Sequence, residues 1–377
     1  MHVAVVTEYD ARDPGAWSGI PHAIAGALGR QVERVSLVGP LRRPATPRLR
    51  LRQLAARARG EGYMRQHTLA MARALGEDAA RQLRRDPPDA VLAIGTMPVA
   101  FLDTPAPIVT WVDATFESNL YFYDAYAGLA ADNVAQGHAV EQRALDRAAL
   151  AVYPSEHALR SARGYYGKAE VALVPFGANL PDPPSAQAVA RAVEARPADR
   201  VRLLFLGAGW VRKGGDVAAR AVGRLRQRGV DAELVVAGSD VPAQDRGPGV
   251  RPVGFLDKRT AGGRAAFDRL LMGSHALVLP TRAEAFGCVF CEASAYGVPS
   301  VAPAVGGVPT AVEDGVNGRL VPARPTPDEV ADAVAGMVAD PDGYRVLCRS
   351  ARDRYDRELN WDAAVGRVVE HLRRLAG

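Results

Sequence analysis

Short apolar runs alternate with longer amphipathic stretches along the whole chain. Runs such as HVAVVT (2–7), DAVLAIG (89–95) and VRLLFLG (201–207) are apolar at nearly every position and end in small or polar residues. Continuous apolar runs of this length are typical of parallel strands buried on both faces. The pattern predicts an α/β protein with these strands: 2–7, 32–39, 89–95, 106–115, 150–155, 171–180, 201–207, 231–238, 251–256, 275–280, 298–303 and a short one near 320.

A proline-rich stretch divides the pattern into two series. Residues 181–200 have no strand pattern, and a second strand–helix series begins at Val201. Prolines and polar residues of this kind mark domain boundaries. We therefore predict two α/β domains of similar design, at 1–182 and 200–360, with a cleft between them.

Composition narrows the class of protein. The chain has 377 residues, is 48% hydrophobic and contains 37 Gly and 27 Pro, which indicates a globular protein. Its apolar runs are too short for a membrane span, and MHVAVVTEYD has no basic region before its apolar stretch, so no signal peptide is predicted. Three cysteines form no disulfide framework, and a cytoplasmic enzyme is the expectation.

Positive charge is concentrated in one segment. The net charge is +5, and residues 41–66 hold eight arginines against one glutamate. One interpretation of this segment is a solvated helical face. The alternative is that residues 42–59 form a patch that binds acidic lipid or an anionic acceptor. Binding of acidic lipid would give peripheral membrane contact. Aromatic residues do not interleave with these arginines, so no nucleic-acid partner is predicted.

The segment from Pro280 to Val308 carries the strongest candidate chemistry. It follows the apolar run HALVLP and reads as loop, helix and second apolar run, a unit that places a ligand at a helix N-terminus. Glu284 lies in the loop and Glu292 about one turn into the helix, while amides of residues 286–289 would favour an anion. Each glutamate alone could be a surface carboxylate, but together they suit a ligand that is part phosphate and part sugar.

A second candidate element follows the strand at 201–207. Arg212 and Lys213 precede Gly214 and Gly215 at the start of a helix, where a cation could clamp a diphosphate. The Walker pattern is absent, and a solvated helix start is the alternative. The combination with Glu284 and Glu292 favours ligand binding.

The first domain offers two weaker candidates. Gly19 lies in the loop after the first strand and would allow close approach of a ligand, although ordinary turn formation explains it equally well. Asp113 follows a strand end, where active-site groups collect, but an aspartate there also serves as a helix cap. No G-x-G-x-x-G pattern supports a nicotinamide cofactor.

Other chemistries receive little support. Cys288 and Cys291 have a redox spacing, but they lie in an apolar helix without further signs of thiol exchange. No His/Cys cluster supplies a zinc site, G-x-S-x-G is absent, and His138 and His157 are interpreted as structural.

Four segments resemble the retaining, family 4 type glycosyltransferases of the GT-B fold. They are PTRAEAFGCVFCEASAYGVPSVAPAVGGVPTAVEDGVNGRLV, which is similar to the E-x7-E region, FLGAGWVRKGGDVAARAV, LVPFGANL and LNWDAAVGRVVEHL. The resemblance implies two Rossmann-like domains facing each other across a cleft. The first would bind an acceptor, the second a nucleotide-sugar donor, and a last helix at 361–377 would cross back to the first domain.

The resemblance also implies roles for individual residues. Glu292 would bind the donor ribose, Glu284 the donor sugar, and Arg212 with Lys213 the diphosphate. The catalytic set would be Glu284, Lys213, Arg212 and Asp113. The remaining donor contacts would be Gly19 across the cleft, Gly254, Phe255 and Leu256 near the base, and the backbone of Phe286, Gly287, Cys288 and Val289.

Two positions depart from the family pattern. Many members have an arginine where this chain has Ala208, and Arg212 could substitute for it. Many have a first-domain histidine where this chain has Asp113.

The expected activity is retaining transfer from a nucleoside-diphosphate sugar by front-face substitution, without a metal or other cofactor. A nucleotide-sugar epimerase of the same fold and a non-catalytic nucleotide-sugar-binding subunit are the alternatives.

Overall fold

The computed structural model describes residues 1–44, 46–120 and 122–377. The chain forms two compact units. The first consists of Met1–Val174 and Ala364–Gly377, and the second of Pro175–Ala363.

The first unit is built on a six-stranded parallel sheet. Its strands are β1 (His2–Thr7), β2 (Arg34–Val38), β3 (Ala90–Ile94), β4 (Ile108–Trp111), β5 (Leu150–Tyr153) and β6 (Val171–Leu173), and they are ordered β2-β1-β3-β4-β5-β6. The central strands β1, β3 and β4 are almost completely buried, because helices cover both faces of such a sheet.

In the described part of this unit, helices connect the strands. They are α1 (Ile20–Gly29), α2 (Pro47–Ala58), α3 (Leu69–Leu83), α4 (Phe116–Leu120), α5 (Ala131–Arg147) and α6 (Glu156–Gly164). The buried face of α3, with Leu75 and Leu83, joins one core cluster with Val91 of β3 and Ala144 of α5. The core therefore lies between the sheet and these helices.

The second unit repeats the design with a different strand order. Its strands are β7 (Val201–Leu206), β8 (Ala232–Ala237), β9 (Val250–Gly254), β10 (Ala276–Val278), β11 (Ser300–Pro303) and β12 (Gly318–Val321), in the order β12-β11-β10-β7-β8-β9. Its helices are α7 (Ala186–Glu194), α8 (Gly215–Gln227), α9 (Ala261–Met272), α10 (Cys288–Ala295), α11 (Val308–Ala311), α12 (Pro327–Val338) and α13 (Pro341–Arg357). All neighbouring strands are parallel.

The last helix, α14 (Trp361–Ala376), continues from the second unit into the first. Its residues from Ala364 onward belong to the first unit, where Arg373 donates to the carbonyl of Gln31 at 3.2 Å.

The predicted α/β class with two Rossmann-like halves is confirmed. Some strands are shorter than predicted: β6 ends at Leu173 although the apolar run continues to Leu180. Val174 still donates to the carbonyl of Tyr153 at 2.9 Å, but Pro175 after it has no N–H for a sheet hydrogen bond. Residues 181–200, predicted as the linker, contain α7, which begins after Ser185 and buries Val189 and Val193.

Candidate functional site

The strand order of the second unit reverses between β7 and β10. These strands are neighbours, but the chain runs outward from β7 through β8 and β9 before returning to β10 on the other side. Ligands of doubly wound sheets bind at such a reversal, beside the carboxyl ends of the strands. The loops that leave β7 and β10 carry Lys213 and Glu284.

Hydrogen bonds join these two loops. The carbonyl of Arg212 accepts from the amide of Arg282 at 2.8 Å and from the hydroxyl of Thr281 at 3.2 Å. Arg212 in turn donates to the carbonyl of Ala283 at 3.0 Å. These contacts hold the β7 loop against the β10 loop, so the positions of Lys213 and Glu284 are fixed relative to each other.

Gly214 allows the loops to come this close. It has φ of +74°, and a Cβ built on it would lie 1.9 Å from the carbonyl oxygen of Pro280. The residue is also the N-cap of α8, and the left-handed conformation favours glycine there. A glycine is therefore required where the loop becomes the helix.

Lys213 and Glu284 form a buried ion pair. The ammonium of Lys213 donates to Oε2 of Glu284, and each side chain is 11% exposed. One guanidinium nitrogen of Arg212 lies 3.9 Å from the same oxygen, and this side chain is 40% exposed. The backbone carbonyl of Glu284 also accepts from the amide of Gly307 at 3.0 Å, which fixes the loop to the turn after β11. The site thus holds two cations and one carboxylate at the sheet edge.

Glu292 forms a second pair, with Lys258. Glu292 lies on α10 and is 6% exposed, and its Oε1 accepts from the ammonium of Lys258 at 2.7 Å. Lys258 follows β9, and its ammonium also lies 4.9 Å from the ring centre of Phe267. The two glutamates predicted from their eight-residue spacing are therefore each paired with a lysine.

The N-terminal turn of α10 connects the two glutamates. Gly287 caps the helix with φ of +90°, and a Cβ there would lie 2.7 Å from the Phe290 ring. The Phe286 side chain is buried against Phe176, with ring centres 5.6 Å apart. The Phe286 side chain is therefore closed to a ligand, and a backbone contact of this residue with the donor stays a prediction.

The other residues at this edge are more accessible. Cys288 and Val289 are half-buried in the first turn of α10. Gly254 ends β9 with φ of +77°, and the next side chain, Phe255, is 80% exposed, with Leu256 half-buried after it. An exposed aromatic ring beside a strand end can stack on a flat ligand.

Gly19 and Asp113 belong to the first unit. Gly19 caps α1 with φ of +82°, after Trp17 and Ser18, which also have positive φ values. Asp113 follows β4, and its charge adds to burial in raising the pKa of the Tyr126 hydroxyl. Both residues lie at the carboxyl edge of the first sheet, in a compact unit other than that of Lys213.

The cysteines do not form a redox site in the structure. Cys288, Cys291 and Cys348 are not joined in disulfides, and Cys291 donates to the carbonyl of Phe176 at 3.4 Å. Burial raises the pKa of Cys291, which disfavours the reactive thiolate. Among residues 1–44, 46–120 and 122–377, no group of three His, Cys, Asp or Glu side chains converges to hold a metal ion.

Lys258 was not among the residues predicted from the sequence. It lies 34 positions before Glu292, and no short motif joins the two. Composition contained a signal, however: of the 47 basic residues only three are lysines, at 168, 213 and 258. Two of the three pair with the glutamates of this site, where a compact ammonium with rotatable donors replaces the planar guanidinium used elsewhere.

Known proteins similar to this chain are glycosyltransferases. Residues 200–340 match the family model described as Glycosyl transferases group 1. Over 205 residues the chain is 38% identical to a D-inositol 3-phosphate glycosyltransferase of Saccharomonospora viridis, an alignment covering 50% of this chain and 46% of that protein. Over 173 residues it is 32% identical to a GDP-mannose-dependent alpha-(1-6)-phosphatidylinositol monomannoside mannosyltransferase of Mycobacterium tuberculosis, covering 43% of this chain and 44% of that protein.

The chain spans about half the length of the curated relatives it matches. The matches show a likeness to the group 1 glycosyl transferases over residues 200–340. The retaining family 4 assignment and the roles in the E-x7-E region stay predictions.

Solved structures match over nearly the whole chain. A sucrose-phosphate synthase from Thermosynechococcus elongatus has a TM-score of 0.72 at 20% identity, covering 100% of this chain and 99% of that chain. WaaG, a glycosyltransferase involved in lipopolysaccharide biosynthesis, has a TM-score of 0.65 at 16% identity, with both chains fully covered. The Anabaena protein HepE, solved with UDP and glucose, has a TM-score of 0.64 at 16% identity and 99% coverage of each chain. These likenesses confirm the predicted GT-B fold.

Proposed function

We propose that this protein transfers a sugar from a nucleoside-diphosphate sugar to an acceptor hydroxyl, with retention at the anomeric carbon. The observation that carries the proposal is the buried Lys213–Glu284 pair at the reversal of strand order, with the Glu292–Lys258 pair on the adjoining helix. Cations suit the diphosphate, and carboxylates that accept hydrogen bonds suit hydroxyl groups.

Each charged group has a part in donor binding. Lys213 and Arg212 hold the diphosphate, and backbone amides at the start of α10 add to the positive potential. Glu284 accepts hydrogen bonds from hydroxyls of the transferred sugar, and Glu292 accepts them from the ribose. Gly254, Phe255 and Leu256 lie beside the base.

The transfer step is a front-face substitution. The bond between the anomeric carbon and the diphosphate oxygen breaks, and its electron pair leaves with the diphosphate, whose charge Lys213 and Arg212 stabilise. The acceptor oxygen bonds to the same face of the anomeric carbon, and its proton passes to the departing diphosphate oxygen. No protein nucleophile and no metal ion are needed in this scheme, and Asp113 is the first-unit group proposed to orient the acceptor.

Two alternatives keep the same donor site. An epimerase would change the sugar of the donor without any acceptor, and a non-catalytic subunit would bind the donor without turnover. No specific observation favours either of them, since both would use the same Arg212, Lys213, Glu284 and Glu292.

The test is a donor panel with a matched pair of lysine variants. Release of nucleoside diphosphate from UDP- and GDP-sugars is measured with and without acceptors, which include inositol phosphates because of the activity named for the relatives. Lys213→Met should lower turnover at least about a hundredfold, since one lost charge contact to a transition state costs roughly 3 kcal/mol. Lys168→Met is the control, because the Lys168 side chain is also 11% exposed and donates to the carbonyl of Ala148, in the first unit.

The outcomes separate the three functions. Transfer products with the anomeric configuration of the donor, identified by NMR, support the proposal. A donor isomerised without acceptor indicates the epimerase, and donor binding without any diphosphate release indicates the non-catalytic subunit. Equal losses in the Lys213 and Lys168 variants would contradict the placement of the donor site.

A further inference from the structure

Helix α2 of the first unit has two opposite apolar faces. At about 100° per residue, Leu49 and Ala56 lie on one side, and both are buried. The side opposite carries Pro47, Leu51, Leu54, Ala55 and Ala58, all of which are exposed. One face therefore holds the helix to the protein, and the second has no such role. We call this second set the outer face of α2.

The outer face exposes large apolar side chains. Leu51 is 66% exposed and Leu54 is 60% exposed. A single exposed leucine needs no explanation, but two on one helix face, together with alanines and a proline, form a continuous apolar stripe.

Arginines border this stripe on both sides. By the same helical geometry, Arg50 and Arg57 lie along one border and Arg48 and Arg52 along the other, and all four are exposed. Residues 42–60 contain no aspartate or glutamate. Arg52 forms an ion pair with Asp132, and Arg59 forms one with Glu61. Among the described residues, no ion pair joins Arg48, Arg50 or Arg57 to an acidic group. The border is thus strongly positive.

The helix is firmly attached through its inner face. Gln53 donates to the carbonyl of Tyr63 at 3.0 Å, and Ala56 packs with Tyr63 and Ala130 in a small buried cluster. The amide of Glu61 donates back to the carbonyl of Ala56 at 3.0 Å. The outer face is therefore presented on an anchored helix, and turning Leu51 and Leu54 inward would break these contacts.

We propose that the outer face of α2 docks on an anionic lipid surface. An apolar stripe flanked by arginines matches a membrane interface, where leucines enter the acyl boundary and guanidinium groups stay at the level of phosphate headgroups. No helix in the described parts of the chain is long and apolar enough to cross a membrane. The contact we propose lies in the plane of the membrane surface.

Charge favours this occupant over a second copy of the chain. Two outer faces in a symmetric dimer would bring their arginine borders together without acidic partners from residues 42–60. Anionic headgroups supply the missing negative charge, and each arginine near such a surface strengthens binding roughly fivefold.

The test measures binding of the full chain to vesicles. Phosphatidylcholine vesicles with and without phosphatidylglycerol are sedimented at low and moderate salt. The wild type should bind the anionic vesicles, and added salt should weaken this binding. Arg50→Glu with Arg57→Glu should weaken it at least about tenfold, as should Leu51→Ser with Leu54→Ser.

Matched controls keep the test specific. Arg160→Glu with Arg163→Glu makes the same charge change on exposed residues of α6, and Val346→Ser removes an apolar side chain that is 55% exposed on α13. Both should bind vesicles like the wild type. Lys213→Met should also bind normally, so that loss of transfer and loss of docking remain distinguishable.

A fluorescent reporter provides a second readout. After subtraction of the wild-type spectrum with its four tryptophans, the emission of Leu51→Trp should shift to shorter wavelength with anionic vesicles, and brominated lipid should quench it, because the indole enters the acyl boundary. Equal binding of outer-face and control variants, or an unshifted Leu51→Trp spectrum, would overturn the proposal. So would binding of RNA in preference to vesicles, or a dimer in solution that the Leu51 and Leu54 changes abolish.

Discussion

Glu284 places a negative charge beside the ammonium of Lys213, in a site that we propose binds an anion. Both side chains are about nine-tenths buried, so water screens their interaction only weakly. Before the donor arrives, the pair compensates two charges that would otherwise be buried alone. A diphosphate must then share Lys213 with Glu284.

This competition leads to a prediction for Glu284→Gln. Removal of the carboxylate charge should tighten nucleoside diphosphate binding about fivefold to tenfold, because Lys213 no longer has an anionic partner. Sugar transfer should fall, because the amide is a weaker acceptor for sugar hydroxyls. Titration calorimetry with UDP and GDP measures the first effect.

Glu233→Gln is the control for this change. Glu233 accepts from Arg202 at 2.6 Å and is 18% exposed, so it is a comparable pair away from the site. Two results would contradict a competition between Glu284 and the diphosphate for Lys213. One is weaker nucleotide binding by Glu284→Gln, and the other is an equal gain in nucleotide binding by both variants.

Glu141 is a buried carboxyl that the proposed reaction does not use. It lies on α5 with 4% exposure, and its Oε2 accepts from the hydroxyl of Thr96 at 2.7 Å. Its other oxygen has no hydrogen-bond partner among the described residues. Burial raises the pKa of Glu141 to about 7, and its neighbours Tyr126, Tyr153 and Tyr166 remain neutral at that pH.

The raised pKa predicts a pH-dependent effect of Glu141→Gln. Between about pH 4.5 and 7 the unfolded chain loses this proton while the folded chain keeps it, so the free energy of unfolding falls as pH rises. Glutamine has no such proton. Relative to the glutamine variant, the wild type should lose about 3 kcal/mol between pH 4.5 and pH 8.

Urea unfolding at both pH values measures this difference. Glu77→Gln, an exposed carboxylate on α3, controls for the chemical change itself. If wild type and Glu141→Gln differ in free energy of unfolding by the same amount at both pH values, the pKa of Glu141 is not raised by folding.

At the level of elements, α8 shows how one helix contains both a required and a replaceable glycine. Gly214 caps the helix with positive φ and faces the Pro280 carbonyl, whereas Gly223 lies within the helix with no atom within 4 Å of a Cβ position. Gly214 allows the β7 and β10 loops to pack together. Gly223 only increases the conformational freedom of the chain.

The two alanine substitutions should therefore have opposite effects. Gly214→Ala should lower the free energy of unfolding by at least about 2 kcal/mol, because strain and the clash with Pro280 act together, and it should also lower transfer. Gly223→Ala should raise the free energy of unfolding by about 0.5 to 1 kcal/mol. Denaturant unfolding measures both free energies. A Gly214→Ala variant as stable as the wild type would show that the two loops can separate without loss of stability.

Helix α2 is an element whose existence was predictable but whose orientation was not. Arginine and leucine alternate irregularly in PRLRLRQLAARA, so periodicity alone does not select one face as internal. The structure buries Leu49 and Ala56 and exposes Leu51 and Leu54. The choice follows from packing against Tyr63, shortly after the helix, and Ala130, which comes from a distant part of the chain.

At the level of the whole molecule, strand order determines which loops can share a site. The first unit places β3 beside β1, and the second places β10 beside β7. In both, strands far apart in sequence become neighbours, and the loops at their carboxyl ends meet. This is why Lys213 and Glu284, 71 positions apart, form one ion pair.

The sequence by itself determined the local features of this protein. Apolar runs and amphipathic stretches predict most strands and helices, because burial on both faces of a parallel sheet requires such patterns. The spacing of Glu284 and Glu292 and the cations beside Gly214 also predict a site that suits a phosphorylated sugar. These features depend on residues close together in the chain.

Only the tertiary structure decided which distant groups meet. It paired Glu292 with Lys258 and Glu284 with Lys213, and it turned Leu51 and Leu54 of α2 to solvent. Such contacts depend on strand order and on packing between elements, which local patterns do not encode. Periodicity describes how one segment is buried, whereas a site requires several segments to converge, and that convergence is set by the folded chain.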